Sequence, residues 1–273
     1  MNIPMLKMND GHEIPQIALG LWQVRNEAEF NTAFDAAVQG GYTHFDSAQY
    51  YQNEQFLGAS VKRNNLNRED LFITTKIAND NFGFESTKQS FEESLQKLQM
   101  DYVDLLLLHF PVTGLRRESW QALEELQAAG KAKSIGVSNY TVRHLEEMQK
   151  YAKVTPAVNQ VELHVFLQQP ELIAYCQGNG IVVEAYSPLA HAKAGADDPV
   201  LSSIAEKHHK TYAQVMLRFL LQLNLVILPK SVTPSRIAEN MQVFDFELDT
   251  ADMTALKQLD RNLRTTWDPT NVE

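Results

Sequence analysis

Four residues in the first half of the chain are of types that together handle a proton beside a carbonyl group. Asp46 and Tyr51 lie in His44-Phe45-Asp46-Ser47-Ala48-Gln49-Tyr50-Tyr51, Lys76 follows Thr74-Thr75, and His109 follows Leu107-Leu108. A free tyrosine titrates near about 10, too high for ready proton donation at neutral pH. A lysine ammonium beside it favours the phenolate and is expected to lower that value. An aspartate would hold the ammonium in place in a partly desolvated pocket. A neutral histidine would donate a hydrogen bond to the same carbonyl oxygen and orient it. The set suits hydride addition to a carbonyl, with its own general acid and an oxyanion site. Lys76 alone has a rival reading as a Schiff-base nucleophile, and residue type leaves that lyase chemistry open.

These residues must be carried by regularly spaced elements, because Asp46 to Lys76 is 30 residues, Lys76 to His109 is 33 and His109 to Ser138 is 29. That interval is the size of a β-α unit. Eight apolar runs fit strands: Ile17–Leu21, Thr43–Asp46, Leu71–Thr75, Val103–Leu108, Ser134–Val137, Ala157–Val161, Ile181–Ala185 and Leu225–Leu228. Runs as continuously apolar as Val103–Leu108 are those of parallel strands covered by helices. Between them Phe30, Ala33, Phe34, Ala37 and Val38 form a helical stripe ending at Gly40-Gly41, and Trp120, Leu123 and Leu126 form another ending at Gly130. Pro170 and Pro199 suit first helical turns, Asp198 a cap, and Thr211 with Gln214 a capping box. At the start, Asn9-Asp10-Gly11 between Met5-Leu6-Lys7 and His12-Glu13-Ile14 reads as a hairpin turn. The expected fold is a (β/α)8 TIM barrel with an N-terminal β-hairpin, a single domain over residues 1–273. No G-x-G-x-x-G follows any of the strands, which counts against a Rossmann domain.

In such a barrel the polar residues at the strand ends face the active site: Asp46, Lys76, His109, Ser138, Asn139, Gln160, Tyr186 and Ser187. Lys and Arg number 24 against 34 Asp and Glu, so the net charge is −10 and nucleic acid or an anionic membrane is a poor partner. A phosphorylated ligand would need positive charge gathered locally. After the eighth strand, Thr233-Pro234-Ser235-Arg236 reads as an N-cap, a first-turn proline and an opening helix. Such a helix start, bracketed by Lys230 and Arg236, is a natural phosphate site. The lone Cys176 cannot form an internal disulfide and reads as a buried helix thiol, the N-terminus lacks a signal peptide, and no apolar run approaches the roughly 18 residues of a membrane span. A soluble, cytoplasmic monomer that binds no metal is expected.

The chain resembles the aldo-keto reductases over essentially its whole length. The motifs are Asp46-Ser47-Ala48-Gln49-Tyr50-Tyr51, Thr74-Thr75-Lys76, Leu107-Leu108-His109-Phe110-Pro111 and Gly136-Val137-Ser138-Asn139. Asn159-Gln160-Val161-Glu162, Ala185-Tyr186-Ser187-Pro188-Leu189 and Leu228-Pro229-Lys230-Ser231-Val232-Thr233-Pro234 follow in the family order. The resemblance implies that Tyr51 is the proton donor, that Lys76 and Asp46 tune it, and that His109 orients the carbonyl. It also implies NADPH, bound extended without a Rossmann domain. Tyr186 would stack on the nicotinamide, and Ser138, Asn139 and Gln160 would bond its carboxamide. Lys230, Ser231 and Arg236 would hold the 2′-phosphate, Glu239 and Asn240 the adenine, and Gly20, Trp22, Asp46, Ser187, Leu189 and Val232 complete the implied cofactor contacts.

Trp22, Tyr50, Ala78, His109 and Phe110 would meet a small-molecule carbonyl substrate. Some of these depart from the family pattern: Leu21 replaces a small polar residue, and Ala78 and Phe110 stand where many relatives carry tryptophan. The loop Pro111–Glu118 and the tail Arg264–Glu273 are short, as in prokaryotic members. A wide pocket follows as an expectation, with a broad carbonyl range that includes bulky and dicarbonyl compounds. A non-catalytic binder that senses the cofactor is a third reading, which the intact set of four residues disfavours.

Overall fold

The computed structural model describes residues 3–190, 195 and 197–273. Strands β1 (Met5–Lys7) and β2 (Glu13–Pro15) pair antiparallel with Leu6 opposite Ile14, and Gly11 turns between them at φ +93°, a conformation side chains disfavour. Eight strands follow: β3 (Leu19–Gly20), β4 (His44–Asp46), β5 (Phe72–Ile77), β6 (Val103–Leu108), β7 (Ala132–Ser138), β8 (Val158–Glu162), β9 (Val182–Tyr186) and β10 (Val226–Leu228). They form one parallel sheet in chain order. Each of the eight apolar runs contains or overlaps one of them. The first run is shorter as a ladder than expected, because Ile17 makes only an isolated bridge, to Ile227. That bridge joins the two ends of the sheet, with Ala18 N–H donating to the Ile227 carbonyl at 2.9 Å and Gly20 N–H to that of Pro229 at 3.1 Å. The sheet thereby becomes a (β/α)8 barrel.

The helices are α1 (Glu27–Gln39), α2 (Glu54–Arg63), α3 (Phe84–Leu98), α4 (Arg116–Ala128), α5 (Val142–Met148), α6 (Pro170–Gly178), α7 (Pro199–His208), α8 (Tyr212–Gln222), α9 (Pro234–Met241) and α10 (Thr250–Lys257). Helices α1 to α8 return the chain between successive strands, and α9 and α10 follow the last strand. The expected stripes are buried, Phe30, Ala33, Phe34 and Ala37 on α1 and Trp120, Leu123 and Leu126 on α4. The Asp198 side chain accepts from the Val200 and Leu201 N–H groups, and Thr211 and Gln214 cap α8 reciprocally. No helix among the described residues is long and apolar enough to cross a membrane.

Alternation along each strand sends every second side chain into the barrel. The lower interior is apolar: Phe72, Leu105, Leu107, Val158 and Val226 pack with Met8 and Ile14 of the hairpin, which floors the barrel. The upper interior is polar, with Asp46, Lys76, Gln160 and Glu184 buried near the C-terminal strand ends. A Cβ on Gly136 would come within 2.6 Å of the Val158 carbonyl oxygen, so β7 needs glycine there to carry Ser138 to the mouth.

Candidate active site

Three strand ends and one short turn bring the expected acid group together. Asp46 closes β4, Lys76 lies near the end of β5, and His109 follows β6. A single 3-10 turn, Gln49–Tyr51, folds Tyr51 back over the barrel mouth. The Lys76 ammonium donates to Asp46 Oδ1 at 2.6 Å, to the Ser47 carbonyl at 2.9 Å and to Tyr51 Oη at 3.2 Å. Its three donors are thereby used. The His109 ring stands edge-on to that of Tyr51, centroids 5.7 Å apart.

The electrostatics correct one expectation. Burial is the largest influence on Tyr51 and raises its pKa; the Lys76 charge opposes this, while that of Asp46 adds to it, so the phenol ends above its ordinary value. Desolvation is the reason: the phenol is sealed in before any anion forms, and Lys76 is already shared with Asp46. Burial alone would lower Lys76, yet Asp46 and Tyr51 outweigh it and keep the amine a firmer cation than usual. Burial, aided by the Lys76 charge, holds His109 well below the ordinary histidine value, so it is neutral.

A cavity of about 450 Å³ runs from this group toward β10. Asp46, Tyr51 and His109 lie at its inner end with Tyr50, and Lys76 supports them from below without lining it. Ser138, Asn139, Gln160 and Tyr186 form one flank, then Ser187 and Leu189 lead on to Lys230, with Gly20 and Trp22 opposite. Both amide contacts of Gln160 Nε2 go to carboxyl groups, at 2.9 Å to Asp46 Oδ2 and 2.8 Å to Glu184 Oε2. Its Oε1 is therefore the atom left to accept from a ligand.

Other expected residues lie off this wall. Ala78 is buried, its N–H on Gln49 Oε1 at 2.8 Å, and it does not line the cavity. Phe110 reaches the site only through Trp267, which it meets edge-on. Ser231, Val232, Arg236, Glu239 and Asn240 continue beyond the cavity onto α9. Thr233 begins α9 without a side-chain cap; its own N–H instead donates to Ser231 Oγ at 3.1 Å. Lys230 and Arg236 are exposed, and Glu239 accepts from the Thr211 hydroxyl at 2.6 Å.

The tail supplies what residue spacing missed. Thr265 and Thr266 are tied to Glu162, and Thr266 Oγ1 lies 2.9 Å from Tyr186 Oη, which donates to Asn139 Oδ1 at 2.7 Å. Trp267 then stands over the mouth, its ring centroid 5.4 Å from that of His109 and 6.0 Å from that of Tyr50. Short as it is, this tail brings a tryptophan to the mouth, where positions 78 and 110 carry none. Gln23, Arg25 and Thr266 also line the cavity and were not among the expected residues. A tryptophan in a short polar tail was the one available signal.

Known proteins resemble this chain over nearly its whole length. The model of the Aldo/keto reductase family matches residues 16–261. Glyoxal reductase of Bacillus subtilis (strain 168) is 45% identical over 259 residues, covering 95% of this chain and 94% of the relative. The crystal structure of MGS-M4, an aldo-keto reductase from a Medee basin deep-sea metagenome library, superposes with a TM-score of 0.95 at 39% identity, covering 99% of this chain and all 100% of the other. That of the aldo-keto reductase AKR2E5 complexed with NADPH gives a TM-score of 0.92 at 35% identity, covering 97% of this chain and 90% of the other. The chain belongs to the aldo/keto reductase family.

Proposed function

We propose that this protein reduces small aldehydes and ketones to alcohols with NADPH, 2-oxoaldehydes among them, as a single barrel domain with Tyr51 as the proton donor. The observation that carries the reading is the buried Lys76 ammonium held between Asp46 Oδ1 at 2.6 Å and Tyr51 Oη at 3.2 Å. Tyr51, raised by burial, keeps its proton in the resting protein. It gives the proton up only to an oxygen made strongly basic, as a carbonyl oxygen becomes when its carbon is reduced. Lys76 then faces a phenolate at hydrogen-bond distance and stabilises it. Neutral His109 presents a donor to the same oxygen and fixes which face of the carbonyl turns inward.

NADPH, when bound, supplies the hydride. The chain fits such a ligand: Gln160 Oε1 offers an acceptor for an amide, Tyr186 a ring face beside it, and Ser138 and Asn139 further polar contacts. Gly20, Trp22, Ser187 and Leu189 would flank the dinucleotide. At the outer end Lys230, Ser231, Val232 and Arg236 would hold the 2′-phosphate at the start of α9, with Glu239 and Asn240 toward the adenine. The solved relative that carries NADPH supports the choice of cofactor. Trp22, Tyr50, His109 and Trp267 would contact the substrate. The glyoxal reductase relative points to small dicarbonyls first. A Schiff-base lyase is disfavoured, because an amine kept cationic by Asp46 has no lone pair to attack with.

NADPH consumption with glyoxal, methylglyoxal and a panel of aldehydes and ketones tests the proposal, with Tyr51→Phe as the control variant. Loss of the general acid should lower kcat by about 100- to 10,000-fold. NADPH binding, followed by fluorescence, should be unchanged. Full turnover by Tyr51→Phe, or no turnover by the native protein on any carbonyl, would overturn it.

A further inference from the structure

Below the acid group, the barrel holds a second carboxyl with no charged partner of its own. Glu184 lies on β9 two residues before Tyr186, points inward with it, and is wholly buried. Its Oε2 accepts from Gln160 Nε2 at 2.8 Å, and the same nitrogen donates to Asp46 Oδ2 at 2.9 Å. Asp46 Oδ1 in turn accepts from Lys76, which reaches Tyr51. Glu184, Gln160, Asp46, Lys76 and Tyr51 therefore form one unbroken chain of side chains. Glu184 Oε1 is buried with no hydrogen-bond partner among the described residues.

The groups facing Glu184 decide its state. From β4 come His44, whose Nε2 is 4.0 Å from Oε1, and Asp46; from β5 comes Lys76, and beyond it Tyr51. From β8 comes the uncharged Gln160, and in register on β10 stands Val226. His44 is no cation: burial first, then the Lys76 charge, lower it to about 3, the Pro15 carbonyl opposing them, and its Nε2 lies 3.0 Å from Thr74 Oγ1. One ammonium thus serves two carboxyls, and Asp46 holds it. An unpaired carboxylate buried here would be costly, so Glu184 keeps its proton. Burial and then the Asp46 charge raise it to about 8.

We propose that Glu184 is a positioning residue, a neutral carboxylic acid that seats Gln160 against Asp46 and keeps a second negative charge away from Tyr51. The proposal rests on the carbonyl-reductase reading above. Its ionisation would add a charge that raises the proton affinity of Tyr51, so the phenol would become a poorer acid. Reduction should therefore weaken as Glu184 titrates.

Two measurements on the full chain test this, with Glu184→Gln as the isosteric variant that cannot ionise. In the infrared, the unliganded native protein should show the C=O stretch of a protonated buried carboxyl at pH 7. That band should fade as pH rises through about 8 and be missing from Glu184→Gln. In kinetics at saturating NADPH and glyoxal, the native kcat should fall across the same range, and that inflection should vanish from the variant's profile. No band at pH 7 overturns the proposal. So does a Glu184→Gln profile of unshifted shape, even with a uniformly lower rate, because that is what a merely structural role would give. A native protein that shows the band yet reduces no carbonyl overturns the reductase reading, and with it the positioning role.

Discussion

Glu162 holds Thr266 twice, accepting from its N–H at 3.1 Å and from its hydroxyl at 2.6 Å, both on Oε2. Thr265 repeats the pattern on Oε1, at 2.7 Å and 2.5 Å. Burial would raise this carboxyl, but His164, Thr265 and Thr266 donate to it and hold it down at about 2. A single strand-end carboxylate therefore fixes the segment that carries Trp267.

The depressed Glu162 gives the tail a defined acid limit. A carboxyl lowered on folding stabilises above its ordinary pKa of about 4.5, and that contribution is lost as pH falls toward about 2. Protection of the Thr265 and Thr266 amides, meaning exchange slowed relative to a free peptide at the same pH, should hold at pH 5 and decline below pH about 4. In Glu162→Gln one acceptor oxygen becomes a donor. A hydrogen bond to a charged group is worth about 1.5–3 kcal/mol, so exchange there should rise at least about tenfold at neutral pH.

Trp267 should set the size limit of the substrate. Trp267→Ala removes the ring packed against Tyr50, His109 and Phe110. Bulky ketones should gain in kcat/KM relative to glyoxal, and glyoxal should lose mainly through KM. Parallel changes across substrate sizes would show that the ring is no wall.

Arg236 is expected to discriminate between cofactors. Arg236→Ala should raise KM for NADPH by about ten- to a hundredfold, the worth of a charge-assisted contact, and leave KM for NADH nearly unchanged. Equal effects on both would remove the 2′-phosphate from its role.

The Asp46–Lys76 pair should be costly to break from one side. Lys76→Met strands a buried carboxylate, which typically costs about 3–5 kcal/mol. Urea unfolding should show that loss, and the double variant Lys76→Met/Asp46→Asn should recover part of it. Neither variant should reduce carbonyls.

Regular spacing made the barrel legible, since each β-α unit ends on a polar residue and carries its own apolar stripe. The group Asp46, Tyr51, Lys76 and His109 was legible for the same reason: strand-end positions are local to a unit. Trp267 was not, because its contact with His109 links residues far apart in the chain through a tail with no periodicity. Glu184 was visible only through parity with Tyr186, and a glutamate inside a barrel runs against hydrophobic patterning. Tyr51 shows a different limit: its neighbours could be named from sequence, but the balance between desolvation and the Lys76 charge depends on burial.

The hairpin floor has a consequence for proton traffic. Met8 and Ile14 seal the lower end with apolar side chains, while Lys76, His44 and Glu184 are cut off from solvent. The barrel is thus a vessel with one mouth, the end that the proposed cofactor and substrate would cover. With both seated, the interior would hold a fixed stock of protons, and refilling would wait until the mouth was uncovered.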